Sequence, residues 1–404
     1  MMKNRWLFLI VFVWLAACSS SEDEGQTVPE EMDASSEHDA SMDAGALTDM
    51  DDPEDVGPSD ADTGVDMPDQ APDSSMVLPP ADARQVVVDG DSTFAEVAAG
   101  VALGEWVQFE TTAAEGYFNN GNGGHDLTWG DSAIYDETSG CLMHYGGGHI
   151  TIPAFSIYCT RTNEWVRGPL PDWLDLEGNV WAYTNHGYDR NSFDPETRRL
   201  FYYRQKELWI FEVETETWSR HTLALGNAYL RDFATFVPGS GVVAGRGEND
   251  PRLFIINPED GSTTLDATSS FHSALHTFGE YSPIHDVLLY GGGDDQRSVY
   301  IRESNGDTRA VADAPEVIRT VAGGSTGGWA LTDPDDGDFL VLSALTGELH
   351  RYDPASDMWS LESRSPFEPE LSRTIAATIT DHGVLLFATR AAGDRALITL
   401  YRPN

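Results

Sequence analysis

The sequence predicts an all-β protein built as a β-propeller of six four-stranded blades, with seven as the alternative count, and three observations carry that prediction. Beyond an N-terminal region without globular character, roughly 320 residues remain, more than one hydrophobic core usually organises. Within them one pattern recurs six times: a strand, a tight turn, an apolar strand, a short loop, and a third strand with an aromatic or branched residue. The recurrence has a regular spacing. With Tyr158, Phe211, Ile256, Ile301, Tyr352 and Leu400 as equivalents, the steps are 53, 45, 45, 51 and 48 residues. A repeat of that length is one blade that buries its faces against its neighbours.

In chain order, the first element is not part of that fold. A short basic start is followed by a twelve-residue apolar run and then Leu15-Ala16-Ala17-Cys18. This resembles a bacterial lipoprotein signal with its lipobox, in which the cysteine receives diacylglycerol and becomes the mature N-terminus. The resemblance implies a signal peptide over 1–17, lipidation at Cys18 and, with Ser19 and Ser20 following rather than Asp, anchoring in the outer membrane on its periplasmic or cell-surface face. An ordinary secretory signal with a coincidental cysteine is the alternative. The run is too short to span a bilayer comfortably, and no later stretch approaches the roughly 20 apolar residues required.

Residues 19–80 contain 19 acidic residues and no Lys or Arg. Such a composition cannot bury enough apolar surface to offset its ordering entropy, so 18–80 is expected to be a disordered, extended tether. The tether supplies part of the net charge of -43, but residues 81–404 still hold 48 acidic and 22 basic residues. An acidic globular part argues against nucleic-acid binding and against a membrane contact other than the N-terminal lipid.

A lead-in is assigned to 81–103 and the propeller to 104–404. The last repeat stops at Asn404 after its third strand, so one strand must come from elsewhere, and Gly104–Glu110 (GEWVQFE) is the expected supplier. Closing the ring with strands from both termini removes free sheet edges. Gly146-Gly147-Gly148 and Gly291-Gly292-Gly293 end second strands, and Trp165, Trp218 and Trp359 follow third strands. These details resemble kelch repeats, although the third and fourth blades lack the tryptophan.

Cys141 begins the second strand of the first blade and Cys159 ends its third, so the two should face each other. In an oxidising compartment a cross-strand disulfide is the first expectation. Asp333, Asp335, Asp336 and Asp338 look like a calcium loop, but Asp-Gly between strands is first a hairpin turn. No metal is assigned there and no cofactor is expected; a structural divalent cation is left open.

Function must come from side chains on the faces of the ring. Residues before first strands and at the ends of second strands converge on one mouth of the channel. There the sequence places His125 and His149 in blade one, His186, Tyr188 and Arg204 in blade two, and Arg246 in the register of Arg204 in blade three. His276, Arg373 and Arg390 come from blades four and six. Several Arg and His at one mouth of an acidic chain imply an anionic ligand, since the arginine fork pairs with carboxylates at any relevant pH. Pairing of each Arg with a blade acid is the competing expectation.

The order His125, His149, Tyr188, Arg204 resembles the site of propeller polysaccharide lyases of the ulvan-lyase type. That resemblance implies a lyase acting on a uronate-containing polysaccharide, with these four residues catalytic. Arg204 would neutralise the uronate carboxylate, helped by Arg246, with Tyr188 and the histidines as base and acid. Arg246, His186, His276 and Arg390 are the substrate-binding candidates. Those lyases have seven blades where six are counted here. A weaker resemblance, to galactose oxidase, would use His125, His144, His149 and Tyr145 around copper, but no free Cys remains for its crosslink. A noncatalytic propeller binding glycan or protein at the cell surface is the main alternative. Phosphate loops, nucleophile elbows and zinc-protease helices are lacking in the sequence. The expected partner is an acidic polysaccharide or another surface glycan, and the expected state a monomer.

Overall fold

The computed structural model describes residues 80–404 apart from 89–92, 119–126, 128–129, 131, 148–152, 175–186, 205, 225–232, 247–251, 267–276, 294–295, 319–327 and 371–372. The signal segment 1–17, the lipidation site Cys18 and the tether up to residue 79 lie outside the described residues. The chain enters through β1 (Ala83–Gln85), α1 (Phe94–Ala99) and β2 (Trp106–Thr112). Blade one comprises β3 (Ile134–Asp136), β4 (Cys141–Gly146), β5 (Ala154–Cys159) and β6 (Glu164–Arg167). Blade two comprises β7 (Asn191–Asp194), β8 (Arg199–Arg204), β9 (Glu207–Glu212) and β10 (Thr217–Thr222). Blade three follows with β11 (Ala234–Val237), β12 (Gly241–Arg246), β13 (Arg252–Ile256) and β14 (Thr263–Asp266). Blade four holds β15 (Phe278–Ser282), β16 (Val287–Gly291), β17 (Val299–Glu303) and β18 (Thr308–Ala310). Blade five holds β19 (Gly328–Thr332), β20 (Phe339–Ser343), β21 (Glu348–Asp353) and β22 (Met358–Arg364). The chain ends in β23 (Thr374–Ile379), β24 (Val384–Arg390) and β25 (Arg395–Tyr401).

Each blade is an antiparallel meander, and the six sheets form a six-bladed β-propeller. The last blade lacks a fourth strand of its own, and β2 supplies it by pairing antiparallel with β25, Trp106 opposite Tyr401 and Thr112 opposite Arg395. The expected ring closure is therefore present. An addition not foreseen in the sequence is β1, which pairs parallel to β2. α1 is capped at its N-terminus by a reciprocal box, in which Thr93 Oγ1 accepts from Glu96 N–H and the Glu96 carboxylate from Thr93 N–H, and it packs Phe94, Val97 and Ala98 into the core of the closing blade.

Six clusters of buried side chains fill the six interfaces between neighbouring blades. Phe201, Leu208, Val242 and Ile256, for example, lie between blades two and three, and Trp329, Leu340, Phe387 and Tyr401 between blades five and six. The repeated tryptophans lock these interfaces. Trp165 donates to Thr111 Oγ1 at 2.8 Å, Trp218 to the Pro169 carbonyl at 2.7 Å and Trp359 to the Ala312 carbonyl at 2.9 Å, each reaching the preceding blade. A large apolar ring with one polar tip suits a position that is buried on one side and must satisfy its N–H on the other. Cys141 and Cys159 are register partners on β4 and β5 and form the expected disulfide.

Candidate functional site

The innermost strands bind one another around the axis. Ala133 N–H donates to the Ala376 carbonyl and Ala234 N–H to the Asp189 carbonyl, both at 2.8 Å. The Thr235 hydroxyl donates to the Gly279 carbonyl at 2.6 Å, and the Asp189 carboxylate accepts from Gly279 N–H at 2.5 Å. These bonds narrow the channel to a throat and separate two mouths. One is formed by the turns between first and second strands; the other carries the second-strand ends.

Of the sequence-derived residues, Tyr188, Arg204, Arg246, Arg373 and Arg390 are described, at the entry to a first strand or at the ends of second strands. Arg204 closes β8 and Arg246 closes β12 at the same register. Tyr188 precedes β7, bridged to Gly130, with a positive φ of 35°. That backbone region is strained for a non-glycine residue, and such strain is held where surrounding structure over-determines it. Arg190, 1% exposed, sets its guanidinium carbon 5.3 Å from the Tyr188 ring centre. Burial raises the Tyr202 phenol, while the Arg190 and Arg204 charges and a hydrogen bond from Arg190 pull it back down. Arg204 lies over Trp209 at 5.4 Å, and its Nη1 stands 3.9 Å from Glu207. Glu207 also accepts from the Trp209 indole at 2.9 Å and from Arg220 at 3.1 Å. Tyr145 completes the group, its ring 4.8 Å from Tyr202, and burial drives its phenol well above the ordinary value.

Tyr188 and Arg204 are thus linked through Arg190 and Tyr202 into one set of buried phenols and guanidinium groups. The guanidinium charges favour an entering carboxylate, while burial keeps the phenols of Tyr202 and Tyr145 above their ordinary range. Arg390, at the end of β24 on blade six, has a buried Nε with no partner among the described residues, and burial lowers its guanidinium. Arg373 pairs with Glu370 at 3.1 Å. Arg246 is placed by its backbone as the last residue of β12. His125, His149, His186 and His276 lie outside the described residues.

Other arginines follow the competing expectation. Arg198 pairs with Asp136 at 2.7 Å and Arg302 with Asp266 at 3.1 Å. The DPDDGD segment is the turn between β19 and β20. Its Asp333, Asp336 and Asp338 carboxylates hold Arg351 at 2.7, 2.9 and 3.3 Å, so the acidic run clamps an arginine. Among the described residues no group of His, Cys, Asp and Glu has the makings of a metal site.

Two groups, Arg190 and Asp189, escaped the sequence reading as members of this region, and a third, His144, was named there only for the copper alternative. Arg190 follows Tyr188 by two positions, and only the fold shows that it turns back onto the ring. Asp189 is buried across the throat, where nothing in the sequence marks it. His144 is fully buried with neither ring nitrogen partnered among the described residues. It sits in a cradle of Gly130, Gly146 and Gly187; a Cβ on Gly130 or Gly187 would stand 2.4 Å from its Nε2. Burial lowers its imidazole to about 4. The isolated glycines of Trp129-Gly130 and His186-Gly187 were the available signal for such a close approach.

Through the throat, toward the first-strand turns, opens a cavity of about 380 Å³. Its wall includes Asp189, Ser192, Thr235, Glu280 and Thr378.

No family model matches the chain, and no curated protein does. Among solved structures, a chain of a mitotic checkpoint complex is similar over 68% of this chain and 74% of its own, at 14% identity and a TM-score of 0.42. An auxiliary nutrient binding protein from Bacteroides ovatus is similar over 73% of this chain and 76% of its own, at 13% identity and a TM-score of 0.48. At these identities neither likeness assigns a ligand or a reaction to this chain.

Proposed function

We propose that this protein is a lipid-anchored, extracytoplasmic propeller that binds an acidic, uronate-containing polysaccharide at its second-strand mouth and cleaves it by β-elimination. The observation that carries the reading is the placement of two guanidinium groups, Arg190 and Arg204, beside the phenols of Tyr188 and Tyr202 in an otherwise acidic chain. A uronate carboxylate entering there would meet Arg204, which closes β8 and carries a planar fork of donors suited to a carboxylate. Neutralising the carboxylate acidifies the C5 proton. A phenolate at Tyr188 would accept that proton, the C4–oxygen bond would break as the C4–C5 double bond forms, and an acid at the mouth would protonate the leaving oxygen. The kelch-like repeats and the lipobox belong to the same proposal, since a long acidic leash suits a surface protein that reaches for large substrates.

The test is absorbance of the unsaturated uronate product while the full-length protein is incubated with a panel of uronate polysaccharides. Growth of the band with wild type but with neither Tyr188→Phe nor Arg204→Ala supports the lyase. A flat trace with glycan binding intact leaves a noncatalytic glycan receptor, and loss of both overturns the proposal. Cys18→Ser is expected to move the protein from the membrane fraction to the soluble fraction.

A further inference from the structure

The cavity at the opposite end of the channel has the reverse chemistry. Its described lining holds the carboxyls of Asp136, Glu137, Asp189 and Glu280, and no Lys, Arg or His. Asp136 is already paired with Arg198, and Glu137 accepts from the Thr380 hydroxyl. Glu280 differs: no hydrogen-bond or ion-pair partner for it is found among the described residues. Counted back from the turn prolines Pro195, Pro238 and Pro283, it stands at the inner-strand position where blades two and three place Ser192 and Thr235, so a carboxyl takes the place of a hydroxyl on the cavity wall. Ser192 is 6% exposed, and its hydroxyl also lacks a partner among the described residues. A buried hydroxyl left unpaired in a cavity wall has a place for a donor or an ordered group beside it.

Four aromatic residues, one from each of blades one to four, stand one position further along the same strands. Tyr135, Phe193, Phe236 and Tyr281 are partly exposed and line the cavity toward its mouth. Aromatic faces with carboxylates behind them select organic cations, which gain from the ring quadrupoles and from the charge. The volume falls in the range of small-molecule sites.

We propose that this cavity binds a small organic ammonium ion, its charged head paired with Glu280 and flanked by Asp189 and the Ser192 hydroxyl, its carbon body against the aromatic rim. The site is independent of the polysaccharide mouth and stands or falls separately from it. Burial and the nearby Asp189 carboxyl push Glu280 well above the usual carboxylate range. The other titratable groups on the wall are Asp136, Glu137, Tyr135 and Tyr281, none of them cationic. Burial thus favours the protonated form of Glu280, and an entering ammonium ion favours the ionised one.

The experiment is calorimetric titration of the full-length protein at pH 7 with butylammonium and choline, with butyrate and calcium as contrasting probes. Either ammonium ion is expected to bind, and Glu280→Gln, similar in volume and checked for an unchanged Tm, is expected to weaken it at least tenfold. Repeating the wild-type titration in buffers of different ionisation enthalpy reads proton release without any variant, and net release is expected. Undiminished binding to Glu280→Gln, binding of butyrate, response to calcium alone, or no ammonium binding would each overturn the proposal.

Discussion

The Asp189 carboxylate of blade two accepts a hydrogen bond at 2.5 Å from the backbone N–H of Gly279 in blade four, reaching past blade three. Burial pushes its carboxyl up to about 7, against the pull of Gly279 N–H and the Ser132 hydroxyl. The folded protein therefore binds a proton at Asp189 through a window, about pH 4 to 7, in which the unfolded chain has released it. This contribution to stability is full below that window and is lost as pH rises through it.

Asp189→Asn keeps an acceptor for Gly279 N–H and removes the titration, and it also relieves the charge that disfavours ionised Glu280. Its stability relative to wild type should rise between pH 5 and pH 8 by on the order of 2–4 kcal/mol. Urea unfolding across that range measures the difference. A difference that stays constant with pH would mean that Asp189 is ionised throughout.

His144 predicts the opposite pH sense. Its imidazole is lowered to about 4 by burial, so the unfolded chain binds the proton first, and the stability tied to neutral His144 is lost as pH falls from about 6.5 toward 4. Its glycine cradle also makes a packing prediction. Gly187→Ala should cost about 1–3 kcal/mol through the contact with Nε2. Adding His144→Ala should cost less than the sum of the two single changes, since the second residue removes the obstruction. Additive losses would place the strain elsewhere.

The fold was legible in the sequence because a propeller repeats its instructions. The strand pattern, the turn residues and the tryptophans recur once per blade, and the missing strand of the last repeat pointed to Trp106 and its neighbours as the closure. α1 and β1 were not legible, since each is too short to show a periodicity of its own. The site was legible only as far as strand register sets it. Register places Arg204 and Arg246 at equivalent strand ends, but it carries no information on Arg190 turning onto Tyr188 or on Asp189 crossing the throat. Those contacts join residues from different blades or around a strand entry, where burial rather than spacing decides the partner.

The Cys141–Cys159 bond joins residues 18 apart in sequence. A loop of that size, when crosslinked, lowers the entropy of the unfolded chain enough to stabilise by about 3 kcal/mol in the chain-entropy account. Cys141→Ser combined with Cys159→Ser should lower the Tm, and a reductant should bring wild type to the Tm of the double variant while leaving that variant unmoved. A wild-type Tm indifferent to reductant would show that the bond contributes nothing to the cooperative unit.

Arg190 separates a catalytic mouth from one that only binds. Its guanidinium touches the Tyr188 ring and bonds to Tyr202, so in the proposed lyase it would act through these phenols as a positioning residue. A neighbouring positive charge favours phenolate, and its removal in Arg190→Gln should move the ascending limb of the pH–rate profile to higher pH. The loss should appear in kcat more than in KM, by about tenfold or more, the size expected for a misplaced general base. Arg190→Lys retains the charge without the planar fork, so it should restore the position of the limb better than it restores the rate. A purely structural Arg190 would instead lower Tm in both variants and scale the rate without shifting the profile.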